Sequence, residues 1–84
     1  MPRRVEDATT GVDRFQPVPL YHHIFLQLRG EIATGERAVG SRLPTEQELS
    51  ASFGVSRITA RRALDELAQA GLVARKQRVG TIVT

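Results

Sequence analysis

The sequence predicts a small, mainly α domain: three helices closed by a two-stranded β-hairpin, all within residues 19–84. Three observations point there. Apolar residues recur at spacings of three and four in three separate stretches, which is the helical period. A glycine stands just past each stretch, at Gly35, Gly54 and Gly71, where a helix ends most easily. The chain then changes character, with two short β-prone runs, "LVARK" and "GTIVT", flanking "QRV" as a hairpin.

Residues 1–18 hold Pro2, Gly11 and Pro17 in a polar mixture with no period, and are expected to form a flexible arm. The first helix starts at Pro19 and ends near Gly35, with Leu20, Tyr21, Ile24, Phe25, Leu28 and Ile32 on one face. His22 and His23 lie on it. Adjacent helical positions point about 100° apart, so the pair suits a solvated surface better than a metal site. The connector "ERAVGSRLP" turns at Gly40-Ser41 and allows a short strand at Arg42-Leu43 before Pro44. Thr45 and Glu48 then form a capping-box pattern, opening a short helix with Leu49 and Phe53 inward and Gly54 at its end. Val55 plugs the gap before Ser56 caps a third helix running to about Ala70, with Ala60, Ala63, Leu64 and Leu67 on its core side. Small residues, Ser50 and Ala60, stand where the second and third helices must approach closely.

Eighty-four residues suffice for one domain with a modest core. The absence of cysteine removes disulfides, thiolate metal sites and cysteine nucleophiles, and fits a reducing compartment. No apolar run is long enough to span a membrane, and no secretory h-region follows Arg3-Arg4. No metal-spaced cluster or Gly-rich phosphate loop supports an enzyme, and no cofactor or deep pocket is expected.

Charge distribution says more than the net of +3. Residues 1–55 hold six arginines against seven acids, a balance of −1; residues 56–84 hold five arginines and a lysine against two acids, +4. Arginine outnumbers lysine 11 to 1, which base composition of a genome alone can produce. The position of the cations is more telling. A short helix, a tight turn on Gly54 and a longer helix make a helix-turn-helix. On a helical wheel Ile58, Arg62, Asp65 and Gln69 oppose the core face, and Arg57 and Arg61 share a flank beside them. Cations early in a helix are disfavoured by its macrodipole, so Arg57, Arg61 and Arg62 ahead of Asp65 and Glu66 suit an anionic partner better than stability. Arginine bridges guanine O6 and N7 or clamps a phosphate. Ile58 either meets a thymine methyl or is a singly exposed apolar residue. Arg75, Lys76 and Arg78 lie in the hairpin, which reads as a wing against DNA.

The stretches "PLYHHIFLQLRGEIATG", "GSRLPTEQELSASFGVSRITARRALDELAQAGLV" and "KQRVGTIV" resemble the N-terminal winged-helix domain of the GntR family of bacterial transcription regulators, from about Pro19 to Val83. "PLY" is more similar to the HutC-type branch than to the FadR-type. The resemblance implies a cytoplasmic, nucleoid-associated regulator, a repressor whose recognition helix (56–70) enters the major groove of operator DNA while a wing (72–83) lies on backbone or minor groove. It implies DNA contacts at Thr45 and Gln47, at Ser56, Arg57, Ile58, Thr59 and Arg61, with Arg62 beside them, and at Gln77, Arg78 and Gly80. It also implies a homodimer on DNA in the full-length protein, a monomeric isolated domain, and a small-molecule effector bound by a C-terminal domain absent from this chain. Two positions depart from the family pattern: Gln47 stands where many members have arginine, and Arg78 where many have a wing-tip glycine. The rival reading is a winged helix that binds proteins instead of DNA.

Overall fold

The computed structural model describes residues 18–84; the expected N-terminal arm, apart from Val18, lies outside the described residues. The elements follow in the order α1 (Leu20–Ala33), α2 (Glu46–Phe53), α3 (Arg57–Gln69), β1 (Val73–Lys76) and β2 (Gly80–Val83). Helix α1 starts one residue after Pro19, which is its N-cap and whose carbonyl accepts from the amides of His22 and His23. It stops at Ala33, with Thr34 as C-cap and Gly35 beyond it at φ 84°.

The core is one cluster. Ile24 and Leu28 of α1, Leu43 of the connector, Leu49 of α2, four residues of α3 (Ala60, Ala63, Leu64 and Leu67) and Val73 and Val83 of the hairpin are all buried. Tyr21, Phe25, Ile32, Phe53, Val55 and Leu72 pack on its edge. Leu20, expected on the inner face of α1, is instead exposed, because it lies one turn before Ile24 and overhangs the end of the cluster. The predicted core face of α3 is therefore the centre of the domain, with α1, α2 and β1 all packed against that helix.

The expected capping box is present: Thr45 Oγ1 accepts from the Glu48 amide at 3.0 Å, and Glu48 Oε1 accepts from the Thr45 amide at 2.8 Å. Gly54 takes the left-handed conformation, φ 67°, and turns the chain from α2 to α3. Val55 fills the corner, and the Ser50 hydroxyl donates to the Val55 carbonyl, which fastens the two helices across the turn. Ser56 caps α3 by accepting from the Thr59 amide at 3.1 Å.

The hairpin is antiparallel, with Val73 opposite Val83 and Lys76 opposite Gly80. The short strand expected at Arg42-Leu43 is a single antiparallel bridge, Arg42 to Ile82. Around it the Leu43 amide donates to the Thr81 carbonyl, the Val83 amide to Ser41 and the Gly40 amide to Val83. The connector between α1 and α2 thus covers the outer edge of β2.

Candidate nucleic-acid interface

Helix α3 buries one face and exposes the other, as an amphipathic helix must, but its three arginines do not act alike. Position 57 and position 61 lie on the flank that faces the start of α2 and the wing. Position 62 is about 100° further round and faces α1. Arg62 is held there: its guanidinium carbon lies 4.3 Å from the centroid of the Tyr21 ring, Nη2 donates to Tyr21 Oη at 3.4 Å, and Nε is 3.7 Å from Glu66 Oε2. A cation over an aromatic face is attracted by its quadrupole. Arg62 therefore braces α3 against α1.

On the other flank a groove of about 560 Å³ opens between the helix starts and the wing. Thr45, Glu46, Gln47 and Arg57 line one wall; Arg75, Lys76 and Gln77 line the other. It is an open trough lined with amides, cations and one carboxylate. Arg57 is exposed and makes no ion pair among the described residues. Gln47 is exposed beside it. Thr45 Oγ1 accepts a bond in the capping box, which leaves its own O–H proton available to a phosphate oxygen. The Ser56 and Thr59 hydroxyls bond to each other at 2.9 Å beneath the first turn of α3. Ile58 is 76% exposed, the most exposed large apolar side chain of that helix, with nothing of the domain over it.

At the wing tip the Val79 amide donates to the Lys76 carbonyl at 3.2 Å, closing a four-residue turn. Its third residue is Arg78, at φ 67°, the one non-glycine residue with positive φ among the described residues. An i to i+3 bond with positive φ at the third position describes a type II turn, whose third position favours glycine. Gly80 follows at φ 113°. A side chain there would meet Arg42 Cδ at 3.0 Å, because Arg42 lies along the base of the wing with Nη1 donating to the Val79 carbonyl. Glycine at 80 thus suits the backbone conformation, and any larger residue would also require the Arg42 side chain to give way by a few tenths of an ångström.

The groove contains a group that the sequence did not point to. Arg75, read there as one of the wing's cations, is paired within the domain. Its Nη1 donates to Asp65 Oδ1 at 2.5 Å and its Nη2 to Glu46 Oε2 at 2.8 Å. The same Glu46 oxygen accepts from Arg61 Nε at 3.4 Å. Two arginines and two carboxylates from α2, α3 and β1 therefore form one neutral chain. Arg75 and Glu46 are 29 positions apart, and no local pattern announces a pairing at that distance.

The two histidines behave as surface residues. His22 stacks on Phe25 with centroids 5.5 Å apart, and His23 is exposed. Among the described residues no three His, Cys, Asp or Glu side chains converge on a metal position. No helix among them is long and apolar enough to cross a membrane.

Comparison with known proteins places this geometry. Residues 20–83 match the family described as bacterial regulatory proteins, gntR family. The chain is 38% identical over 74 residues to the HTH-type transcriptional repressor NagR of Bacillus subtilis, covering 88% of this chain and 30% of that protein. It is 43% identical over 70 residues to the histidine utilization repressor of Klebsiella aerogenes, covering 83% and 29%. The chain thus spans about three tenths of the length of these relatives. Among solved structures, the DNA-binding domain of AraR in complex with operator ORR3 superimposes with a TM-score of 0.81 at 32% identity, over 94% of this chain and 93% of that one.

Proposed function

The chain belongs to the GntR family of bacterial regulatory proteins, and from that premise we propose that residues 19–84 bind one operator sequence in double-stranded DNA on behalf of a transcriptional repressor. The observation that carries the proposal is the shape and charge of one flank. Arg57 and Arg61 project beside an exposed Ile58, next to a groove whose far wall is a basic wing. An α-helix with this edge fits the major groove, where arginine forks read guanine and an apolar side chain meets a thymine methyl. The operator-bound AraR domain, similar in fold and in about a third of its residues, supports DNA over a protein partner.

Roles follow from position. Arg57 and Arg61 read base edges, with Ile58 against a thymine methyl. Ser56 and Thr59 fix the first turn of α3 and offer hydroxyls to the adjacent backbone. Thr45 and Gln47, at the start of α2, hold a phosphate beside that helix's free amides. Gln77, Arg78 and Gly80 lay the wing tip on backbone and minor groove. Arg62 faces α1 and serves as a brace first, with at most a backbone contact at the edge of the site. The reaction is binding and release, with no chemical step and no cofactor. In the full-length protein the domain acts as half of a homodimer in the cytoplasm, on the nucleoid, and a separate domain takes a small-molecule effector. The isolated domain is a monomer.

Two measurements test the proposal. Affinity for a duplex selected from random DNA falls steeply as salt rises, since each neutralised phosphate releases counterions; a flat response would return the domain to the protein-binding reading. Arg57→Ala costs about 1–3 kcal/mol on the selected duplex and less on one altered at the contacted base pair. Equal loss on selected and random DNA would leave Arg57 a phosphate clamp.

A further inference from the structure

We propose that Glu46 is a positioning residue for base readout: it orients the Arg61 guanidinium and, with Arg75, keeps that corner of the interface from binding phosphate indiscriminately. The inference rests on Arg61 reading a base, as set out above.

A guanidinium offers two edges for a paired contact, one formed by Nη1 and Nη2 and one by Nε and an Nη. Glu46 Oε2 accepts from Arg61 Nε, which occupies the second edge. The edge left open is Nη1–Nη2, the end-on fork that matches O6 and N7 of guanine. At 3.4 Å the bond is longer than the 2.7–2.9 Å of an optimal charged pair, so Glu46 steers Arg61 without locking it. Arg61 remains more than half exposed, 62%, and free to reach outward.

A bare carboxylate in such a place would repel the DNA backbone. Arg75 removes that difficulty. It donates to the same Glu46 oxygen and, with its other Nη, to Asp65. The four groups sum to zero charge. Glu46 itself is mostly covered, with 21% of its side chain exposed, and it stands at the first position of α2, where a negative charge is favoured by the helix dipole. The result is a cation whose direction is set and whose non-specific attraction is cancelled locally. Arg57, in the same groove but outside this chain of pairs, has neither constraint among the described residues.

The consequence separates affinity from selectivity. Removing Glu46 frees two arginines from a carboxylate, so binding to random DNA strengthens. It also lets Arg61 swing among phosphates and bases, so recognition of one guanine weakens. A group that merely supported the fold would lower both affinities, and a group that merely repelled DNA would raise both.

The test uses the 84-residue chain, a duplex selected from a randomised library, a scrambled duplex of the same composition, and copies of the selected duplex with 7-deazaguanine at one guanine at a time, which deletes the N7 acceptor. Wild type is expected to lose roughly 5- to 150-fold at the guanine that Arg61 reads, the span of one paired arginine contact. Arg61→Ala abolishes that penalty. Glu46→Ala largely abolishes it too, binds the scrambled duplex more tightly than wild type, and reduces the selected-to-scrambled ratio by about fivefold or more. Glu46→Gln, which keeps an oxygen to accept from Arg61 Nε, restores part of the deazaguanine penalty. Thermal melting of each variant accompanies the titrations. If Arg61→Ala retains the penalty, Arg61 is no base reader and the inference falls with that reading. If Arg61→Ala removes it and Glu46→Ala leaves it intact, base readout by Arg61 stands and the role given to Glu46 is wrong. Parallel changes of Glu46→Ala on both duplexes, in either direction, overturn it equally.

Discussion

The domain makes two sharp turns with the same backbone angle. Gly54, between α2 and α3, and Arg78, at the wing tip, both sit at φ 67°. One uses the residue that adopts this conformation without strain; the other places a long cationic side chain there. Left-handed geometry costs an L-residue roughly 1–2 kcal/mol, so glycine is the default where nothing else is at stake. The helix turn is inside the fold's logic: it sets how α2 meets α3, and a side chain at 54 would find open space and no partner. The wing tip lies outside it. Val79 beside it is exposed, and nothing in the core depends on which residue stands at 78. Strain accepted at a position of no structural consequence is a sign that the side chain has another use.

The comparison can be broken first at the helix turn. Gly54→Val puts a β-branched residue at positive φ, and with no neighbour within 4 Å the penalty is conformational alone. About 3 kcal/mol of stability is expected to be lost, the upper end for such backbone strain, read as a lower urea midpoint at unchanged slope. Gly80→Ala comes next, at about 2 kcal/mol, because φ 113° and the 3.0 Å approach of Arg42 act together. Relief of that loss by Arg42→Ala in the double variant would isolate the steric share.

At the wing tip the expected sign reverses. Arg78→Gly removes strain of about 1–2 kcal/mol and adds chain entropy worth about 0.5–1, so stability rises slightly. DNA affinity falls by about 1 kcal/mol, most on sites with A/T-rich flanks, where a narrow minor groove concentrates negative potential, and the salt slope falls by about one. Equal affinity of wild type and Arg78→Gly on such sites would mark Arg78 as an ordinary surface residue. The smallest effect sharpens the point. Asparagine tolerates left-handed geometry, so Gly54→Asn costs only a few tenths of a kcal/mol, while Arg78→Asn is as stable as wild type or more so and still loses the A/T-flank preference. Strain and charge are then separated at one position.

Much of the fold was legible because it is written in local rules. The caps at Thr45 and Ser56, the stops at Gly35, Gly54 and Gly71 and the inward face of α3 each depend on residues within a turn or two of one another. The bridge at Arg42 falls in the Arg42-Leu43 pair ahead of Pro44, a residue that favours extended backbone just before it. What the sequence could not show lies in long-range side-chain pairing. The wheel put Arg62 opposite the core and Arg57 with Arg61 on the flank beside it, and all three were read as facing an anionic partner; the structure commits two of them within the domain, because Tyr21 on α1 captures Arg62 and Glu46 on α2 captures Arg61. Summed charge likewise counted Arg75 toward the wing, although two carboxylates neutralise it. Charge balance reports which half of a chain is basic, whereas an interface depends on which cations remain uncommitted.

The bonds from the Gly40, Leu43 and Val83 amides join segments about forty residues apart and hold β2 on the side away from β1. Their protons can exchange with solvent only when the wing's base detaches from the connector, so in deuterated buffer these three amides are expected to exchange together, at one rate, faster than the centre of α3. The Val79 amide, bonded only across the tip, exchanges sooner and independently. The wing is thus tied at its base on both edges of β2, and the three residues at its tip, beyond the Lys76–Gly80 pair, are the ones expected to adjust to what they touch.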